Sequence, residues 1–281
     1  MYECGLVLEG GGLRGLYTVG ILDFFMEKDI DFSDIYAVSA GALNGVSFVS
    51  KQIGRSKDIN IKYSSDKRYL NKNNLFKGKP LFDLDFIVDD IPNKYVPFDF
   101  DRFYNSKSNF YCVSTNIETG KPEYFDIDDI RKNMDILKST GSLPMFGKII
   151  EVNDMKLLDG GISDSIPIRK AKEKNNKNVV ILTRNSGYIK KKINFFGMHR
   201  LYYKKYPELI KAMENRHLEY NKTIEYINEL ENKKEIFVFR PTKPLEVDIF
   251  INDKDKLERL YLNGYNDAKE QYNNLIEFLE K

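Results

Sequence analysis

The stretch "LEGGGLRG", Leu8 to Gly15, sets bare backbone between an apolar run and an amphipathic one. Before it, "CGLVLEG" from Cys4 to Gly10 is short, apolar and bounded by glycines, the pattern of a strand buried on both faces of a parallel sheet. After it, "LYTVGILDFFMEKD" brings Leu16, Val19, Leu22, Phe25 and Met26 onto one helical stripe, with Thr18, Asp23 and Glu27 largely off it. That spacing predicts a helix of about four turns. "DIYAV" then reads as a second strand ending at Val38, and "SAGALNGVSFVS" as a helix whose small residues suit tight packing. The succession predicts an α/β fold, three layers α/β/α around a mainly parallel central sheet, read as a single domain over residues 1–281.

Downstream, residues 51–108 lose periodicity and are dotted with aromatics, among them Tyr63, Tyr69, Phe76, Phe82 and Phe86. This is too long for a plain connection, and reads either as a cap or lid beside a site or as an insertion with its own small core. "NFYCVSTN" is a strand, "ETGKPEYF" a turn and return strand, and a helix is expected from about Asp128 to Ser139. "KIIEVNDMKLLDGG" predicts a hairpin turning at Asn153 and Asp154 that delivers Asp159 at its end. "NVVILTR" and "EIFVFRP" are further strands, Tyr188 to Asn232 is expected to be helical, and the tail from Asp253 to be one amphipathic helix.

The 44 Lys and Arg and 42 Asp and Glu nearly cancel to a formal +2, so the field that would draw the chain to nucleic acid is missing. Cys4 and Cys112 stand apart on apolar stretches without clustered histidines, which implies buried thiols and no metal. With no secretory leader and no long apolar span, the expected location is cytoplasmic. "KKKINFFGMHRLYYKK", Lys190 to Lys205, mixes cations with Phe195, Phe196, Leu201, Tyr202 and Tyr203. It reads either as peripheral contact with an anionic membrane or as a helix with core aromatics and solvated lysines.

Gly10, Gly12 and Gly15 satisfy G-x-G-x-x-G, the dinucleotide fingerprint. The fingerprint also needs an acid closing the second strand, and this strand ends in Ser39, with Asp34 at its wrong end. No Gly-Lys-Ser or Gly-Lys-Thr comes after the glycines to make a phosphate-binding Walker loop. The second strand leads instead into "AVSAG", a serine between a short strand and a small-residue helix, the context of a nucleophile elbow. Alone, Ser39 reads as a helix N-cap. Beside it the amides after Gly10 reach the same carboxyl edge of the sheet and describe an oxyanion hole. "LLDGG" brings Asp159 to that edge, although Asp-Gly-Gly alone is also an ordinary tight turn. His199 and His217 leave open a Ser-Asp-His triad in α/β-hydrolase order.

The three motifs in this order resemble the patatin-like phospholipase family, and the resemblance covers nearly the whole chain: Gly10 to Gly15 as its glycine loop, Ser39 as its elbow nucleophile, Asp159 as its acid. It implies a Ser39–Asp159 dyad without histidine, metal or cofactor, and hydrolysis of acyl esters of phospholipids or related lipids. Gly10, Gly11, Gly12 and Ala40 would form the oxyanion hole, Arg14 and Gly15 would support the loop, and Ala37 and Gly41 would flank the elbow. Ala37 departs from the glycine of a G-x-S-x-G elbow, which leaves a weakly active or non-catalytic lipid-binding protein as the alternative. An aspartate near its reference pKa of about 3.9 would be a weak base, so the amides would carry much of the catalysis.

Overall fold

A computed structural model describes residues 1–71, 73–74, 79–193, 197–245 and 253–281. Five strands run parallel in the order β3 (Asn109–Asn116), β2 (Phe32–Val38), β1 (Tyr2–Leu8), β7 (Asn178–Ile181), β8 (Ile236–Phe239). Beyond them, β4 (Pro122–Asp126) and β6 (Met155–Asp159) pair antiparallel with β3, and β5 (Ile150–Val152) with β6. The β5–β6 hairpin turns at Asn153 and Asp154, both at positive φ, as asparagine and aspartate in a tight hairpin turn allow.

Successive residues of a strand point to opposite faces, and both faces here are covered. Leu6, Leu8, Ile35, Ala37 and Ile181 share a buried cluster with α1 (Gly15–Glu27), α2 (Ala40–Val49), α5 (Met134–Gly141), α9 (Lys254–Glu270) and α10 (Tyr272–Glu280). Val7, Tyr36 and Val180 pack on the other side with α6 (Ile168–Lys174) and α8 (Pro207–Asn232) through Ile168, Ala171, Tyr220 and Ile227. Burial on both faces is why these strands read as continuous apolar runs.

The stripe expected on α1 understates its burial. Thr18 and Asp23, placed off the stripe, are 0% and 2% exposed, because α9 lies along that side. The two helices approach so closely that any side chain at Gly264 would collide with the Tyr17 carbonyl. Asp23 is met there by the Tyr261 hydroxyl and the Gly54 amide, and burial pushes its carboxyl up to about 6. The tail is two helices broken at Gln271, rather than one. The helix expected over Asp128–Ser139 is a single 3-10 turn, Ile130–Lys132, capped by Asp129, followed by α5. Within Tyr188–Asn232 the residues at 188–193 are not helical, and helix begins with α7 (Met198–Tyr202) before α8.

Residues 51–108 contain α3 (Arg55–Tyr63), a π-helix at Phe86–Tyr95 and α4 (Phe100–Tyr104). Tyr63, Tyr69, Leu70, Leu81, Phe86 and Ile91 form a buried cluster of their own, while Phe76 lies outside the described residues. Among the described residues no helix is long and apolar enough to cross a membrane.

Candidate active site

The meeting of distant residues starts in the sheet. The last partner of β2 on β3 is Val38 opposite Val113, and the next β3 residue, Ser114, faces Asp159 of β6. Since β4 occupies the other edge of β3 from Tyr111 to Thr115, β6 continues the edge that β2 leaves. Ser39, first beyond β2, therefore meets Asp159, last of β6, and Ser39 Oγ donates to Asp159 Oδ2 at 2.7 Å.

Ser39 sits at φ 55° and ψ −128°, a backbone region that side chains other than glycine's seldom adopt. Its side chain does not cap α2, so the N-cap reading does not hold. The strain is held by Thr140: the Ser39 amide donates to Thr140 Oγ1 at 2.8 Å, and that hydroxyl donates to the Val113 carbonyl at 2.5 Å. Sequence reasoning missed Thr140, which follows Ser139 in the last turn of α5 and carries no local signal that sets it apart. Ala37 is fully buried in the first core cluster, so the sheet houses the methyl that departs from the glycine elbow. Gly41 packs against the Leu8 carbonyl and Gly15 against Asn44, closing α2 and α1 onto the site.

The glycine loop lies against the serine. A Cβ at Gly10 would stand 2.9 Å from Ser39 Cβ, and Gly12 has φ 56°, so the chain needs glycine at both for different reasons. Among the described residues no acceptor takes the amides of Gly11, Gly12 or Ala40. Glu9 anchors the loop instead of Arg14: its Oε2 accepts from the Thr183 amide at 2.5 Å and its Oε1 from the Tyr220 hydroxyl at 2.8 Å. Arg14, expected to support the loop, bonds to no carbonyl or carboxylate with its guanidinium among the described residues. Its Nε is buried without an acceptor, and burial together with Arg184 lowers its pKa.

Asp159 is 3% exposed, and its Oδ1 accepts from the Gly161 amide at 2.7 Å. Burial raises its pKa above the ordinary carboxylate range, against the pull of the Ser39 hydroxyl, the Arg216 charge and the Gly161 amide. The carboxylate is thus a stronger base than a solvated aspartate, which revises the weak-base expectation. The histidines stand elsewhere. His199 Nε2 lies 3.0 Å from Glu214 Oε1, His217 lies on α8, and neither hydrogen-bonds to Ser39 or Asp159 or lines the cavity beside them.

That cavity has a volume of about 730 Å³. One part of its wall is apolar, with Leu43, Ile59, Ile87, Val88 and Phe98, so residues 51–108 furnish much of it. Another part carries Arg14, Arg184, Lys190 and Arg216. Ile193 and Met198 also line it and are exposed, as are nearby Ile189, Leu201 and Tyr202. Within the 190–205 stretch Tyr203 is buried, Lys191 and Lys192 are exposed, and Phe195 and Phe196 lie outside the described residues. Among the described residues no group of His, Cys, Asp and Glu could hold a metal ion, and Cys4 and Cys112 are buried free thiols. Asp34, at the far end of β2, is tied to Lys174 at 2.5 Å.

Comparison with known proteins adds to this geometry. The family profile for patatin-like phospholipase matches residues 6–172, and one for a domain of unknown function matches residues 206–280. The uncharacterized protein YjjU of Escherichia coli is 28% identical over 252 residues, 85% of this chain and 69% of that protein. The lysophospholipase nte1 of Aspergillus terreus is 27% identical over 175 residues, 58% of this chain but 11% of the enzyme, so this chain matches a small part of that larger protein. VipD of Legionella pneumophila shares the fold, with a TM-score of 0.51 at 13% identity over 98% of this chain and 67% of that one.

Proposed function

The chain belongs to the patatin-like phospholipase family, and from that premise we propose that it hydrolyses carboxylic ester bonds of phospholipids or related acyl lipids through Ser39 and Asp159. The observation that carries the reading is the Ser39 hydroxyl, held at a strained backbone position, 2.7 Å from a buried carboxylate of raised pKa. Asp159 takes the Ser39 proton as Oγ attacks the acyl carbonyl, and returns it to the leaving alcohol as the tetrahedral intermediate collapses to an acyl-enzyme. The same carboxylate then activates water for deacylation. The unpaired amides of Gly11, Gly12 and Ala40 meet the oxygen as it becomes negative, and Gly10 keeps the loop close enough for them to reach it. These steps call on neither a metal nor a cofactor. That Ala37 is housed without loss of the serine's strained turn speaks for catalysis over lipid binding alone.

The acyl chain takes the apolar wall, with residues 51–108 as a cap within one domain. The exposed Ile189, Ile193, Met198, Leu201 and Tyr202, among lysines, rest on an anionic membrane at the cavity mouth. A fluorophosphonate probe followed by peptide mapping tests the reaction: Ser39 is expected to carry the label, and stoichiometric labelling of another serine with Ser39 unmodified would discard the dyad. Flotation with phosphatidylglycerol vesicles tests the surface, since Leu201→Glu with Tyr202→Glu should leave the protein in the dense fraction. Equal flotation of both forms would discard the membrane contact.

A further inference from the structure

Hydrolysis of a neutral ester leaves much of the cavity's charge unused. Arg14 from the glycine loop, Arg184 and Lys190 from the segment after β7, and Arg216 from α8 line the same cavity as Ser39. None of the four makes an ion pair among the described residues, and the Nε atoms of Arg14, Arg184 and Arg216 are buried without an acceptor. A buried donor left in that state is costly to the fold and favours a ligand that supplies the missing acceptor. Glu9 and Asp159 are the carboxylates lining the cavity, and both are engaged: Glu9 by Thr183 and Tyr220, Asp159 by Ser39 and Gly161. Burial, with the charges of Arg216, Arg14 and Arg184, pushes Lys190 down to about 7 in spite of Glu9.

Aromatic faces hold two of these cations where carboxylates otherwise would. The Arg184 guanidinium lies 4.3 Å from the Tyr188 ring centroid and Lys190 Nζ 4.1 Å from that of Tyr220. Such a contact positions a cation without consuming its N–H groups. Arg216 reaches close to the catalytic carboxylate: one of its terminal nitrogens and Asp159 Oδ1 lie 3.2 Å and 3.0 Å from the point where a Gly161 Cβ would sit. The converging forks offer more donors than a fatty-acid carboxylate, with its two oxygens, can accept. A phosphoryl group, with more oxygens and up to two charges, matches them.

Resting on the ester-hydrolase reading, we propose that Arg184, Lys190 and Arg216, together with Arg14, bind a phosphoryl group borne by the same acyl lipid whose ester lies at Ser39. The cluster selects phosphorylated over neutral lipids. Arg216 comes from the stretch that matches a domain of unknown function, which thereby gains a part in choosing the substrate.

The test compares 1-oleoylglycerol 3-phosphate with 1-oleoylglycerol, a pair differing in the phosphate alone. The wild type should favour the phosphorylated lipid in kcat/KM, and Arg184→Gln or Lys190→Gln should each lower that ratio at least about tenfold, the worth of one hydrogen bond to a charged group. Melting temperatures of both variants check the fold. Calorimetry on Ser39→Ala reads binding without turnover: it should hold the phosphorylated lipid more tightly than the neutral one, and adding Arg184→Gln should remove the difference. Equal kcat/KM for both lipids, or a ratio unmoved by both substitutions, overturns the proposal. Competition by inorganic phosphate without any preference between the lipids would make this a site for free phosphate and overturn the lipid-borne assignment. Selective binding by Ser39→Ala with no wild-type turnover would support this site and reject the hydrolase reading instead.

Discussion

On one wall of the cavity the polar side chains have partners. Ser39 bonds to Asp159, Asp159 to Gly161, and Thr140 joins the serine's amide to the sheet. On the other wall four cations share no ion pair among the described residues, and two of them are steadied by tyrosine rings. A satisfied network fixes atoms in one geometry, which suits a group that must transfer a proton along a set line. An unsatisfied cluster stores cost that a ligand can relieve, which suits a group that must recognise something absent from the free protein. On the proposed reading, the same cavity thus pairs a pre-built reaction centre with an unfinished binding site.

The largest effect should come from breaking the satisfied wall. Asp159→Asn cannot accept the serine proton and is expected to lower ester turnover by about 10⁴, whereas His199→Ala and His217→Ala should retain most of it. A folded histidine variant with a comparable loss would bring back the triad. Because burial raises the Asp159 pKa, the carboxylate form needed for catalysis is lost at a higher pH than for a free aspartate. The acid limb of the wild-type profile should therefore lie above about 3.9. The sign for stability is the reverse: the folded state binds the proton more tightly, so stability falls as pH rises through the raised pKa, and Asp159→Asn should melt no lower than wild type at pH 7.

A smaller loss is expected from the amides between the two walls. Gly12→Val forces a β-branched side chain into positive φ and misaims the loop. Its cost should fall on kcat for a short ester, by roughly 10² to 10³ per donor lost, with KM little moved. Calorimetry with NAD and ATP provides the contrary outcome: nucleotide affinity abolished by Gly12→Val, with ester turnover intact, would mean that the loop holds a resting phosphate.

The smallest effect belongs to the unsatisfied wall and, beside its part in substrate choice, is read in stability. Lys190 faces Arg14, Arg184 and Arg216, with Glu9 as the nearby acid and the Tyr220 ring beneath it. Its folded pKa of about 7 is below the ordinary lysine value of about 10.4. Between those values the unfolded chain binds more protons, so this residue's penalty is full below pH 7 and fades as pH rises. Lys190→Met should accordingly melt above wild type at pH 6 and lose that advantage towards pH 10. An advantage independent of pH would mean that the lysine's charge is not what costs the fold.

These differences also explain what could be read from the chain. The glycine loop, the elbow and Asp-Gly-Gly are legible because each is a local turn whose backbone demands certain residues within a few positions. The strands are legible because helices cover both faces and leave continuous apolar runs. Thr18 and Asp23 mislead because the helix that buries them is more than 230 residues away in the chain. The break at Gln271 leaves no mark in the apolar spacing, which continues through Tyr272 to Leu275. Arg184, Lys190 and Arg216 follow no period and come from separate elements, so their shared cavity exists only after folding. Arg14 is visible as a cation beside the loop, but Glu9, which stands just before the glycines inside a run read as apolar, is what holds it.

Ser39 and Asp159 are separated by 120 positions in the chain, yet along β3 their strands are one rung apart. The gap between the two side chains is consequently gauged by peptide geometry, which hardly varies, and not by the number of residues that intervene. Thr140, Ala40 and Gly41 apart, the chain between them, including the aromatic segment lining the cavity, can be lengthened, shortened or exchanged provided β3 keeps its register. On the proposed reading, the Ser39–Asp159 pair is a fixed mount and the cavity wall of Ile59, Ile87, Val88 and Phe98 an interchangeable fitting, so substrate range is open to divergence while the chemistry stays in place.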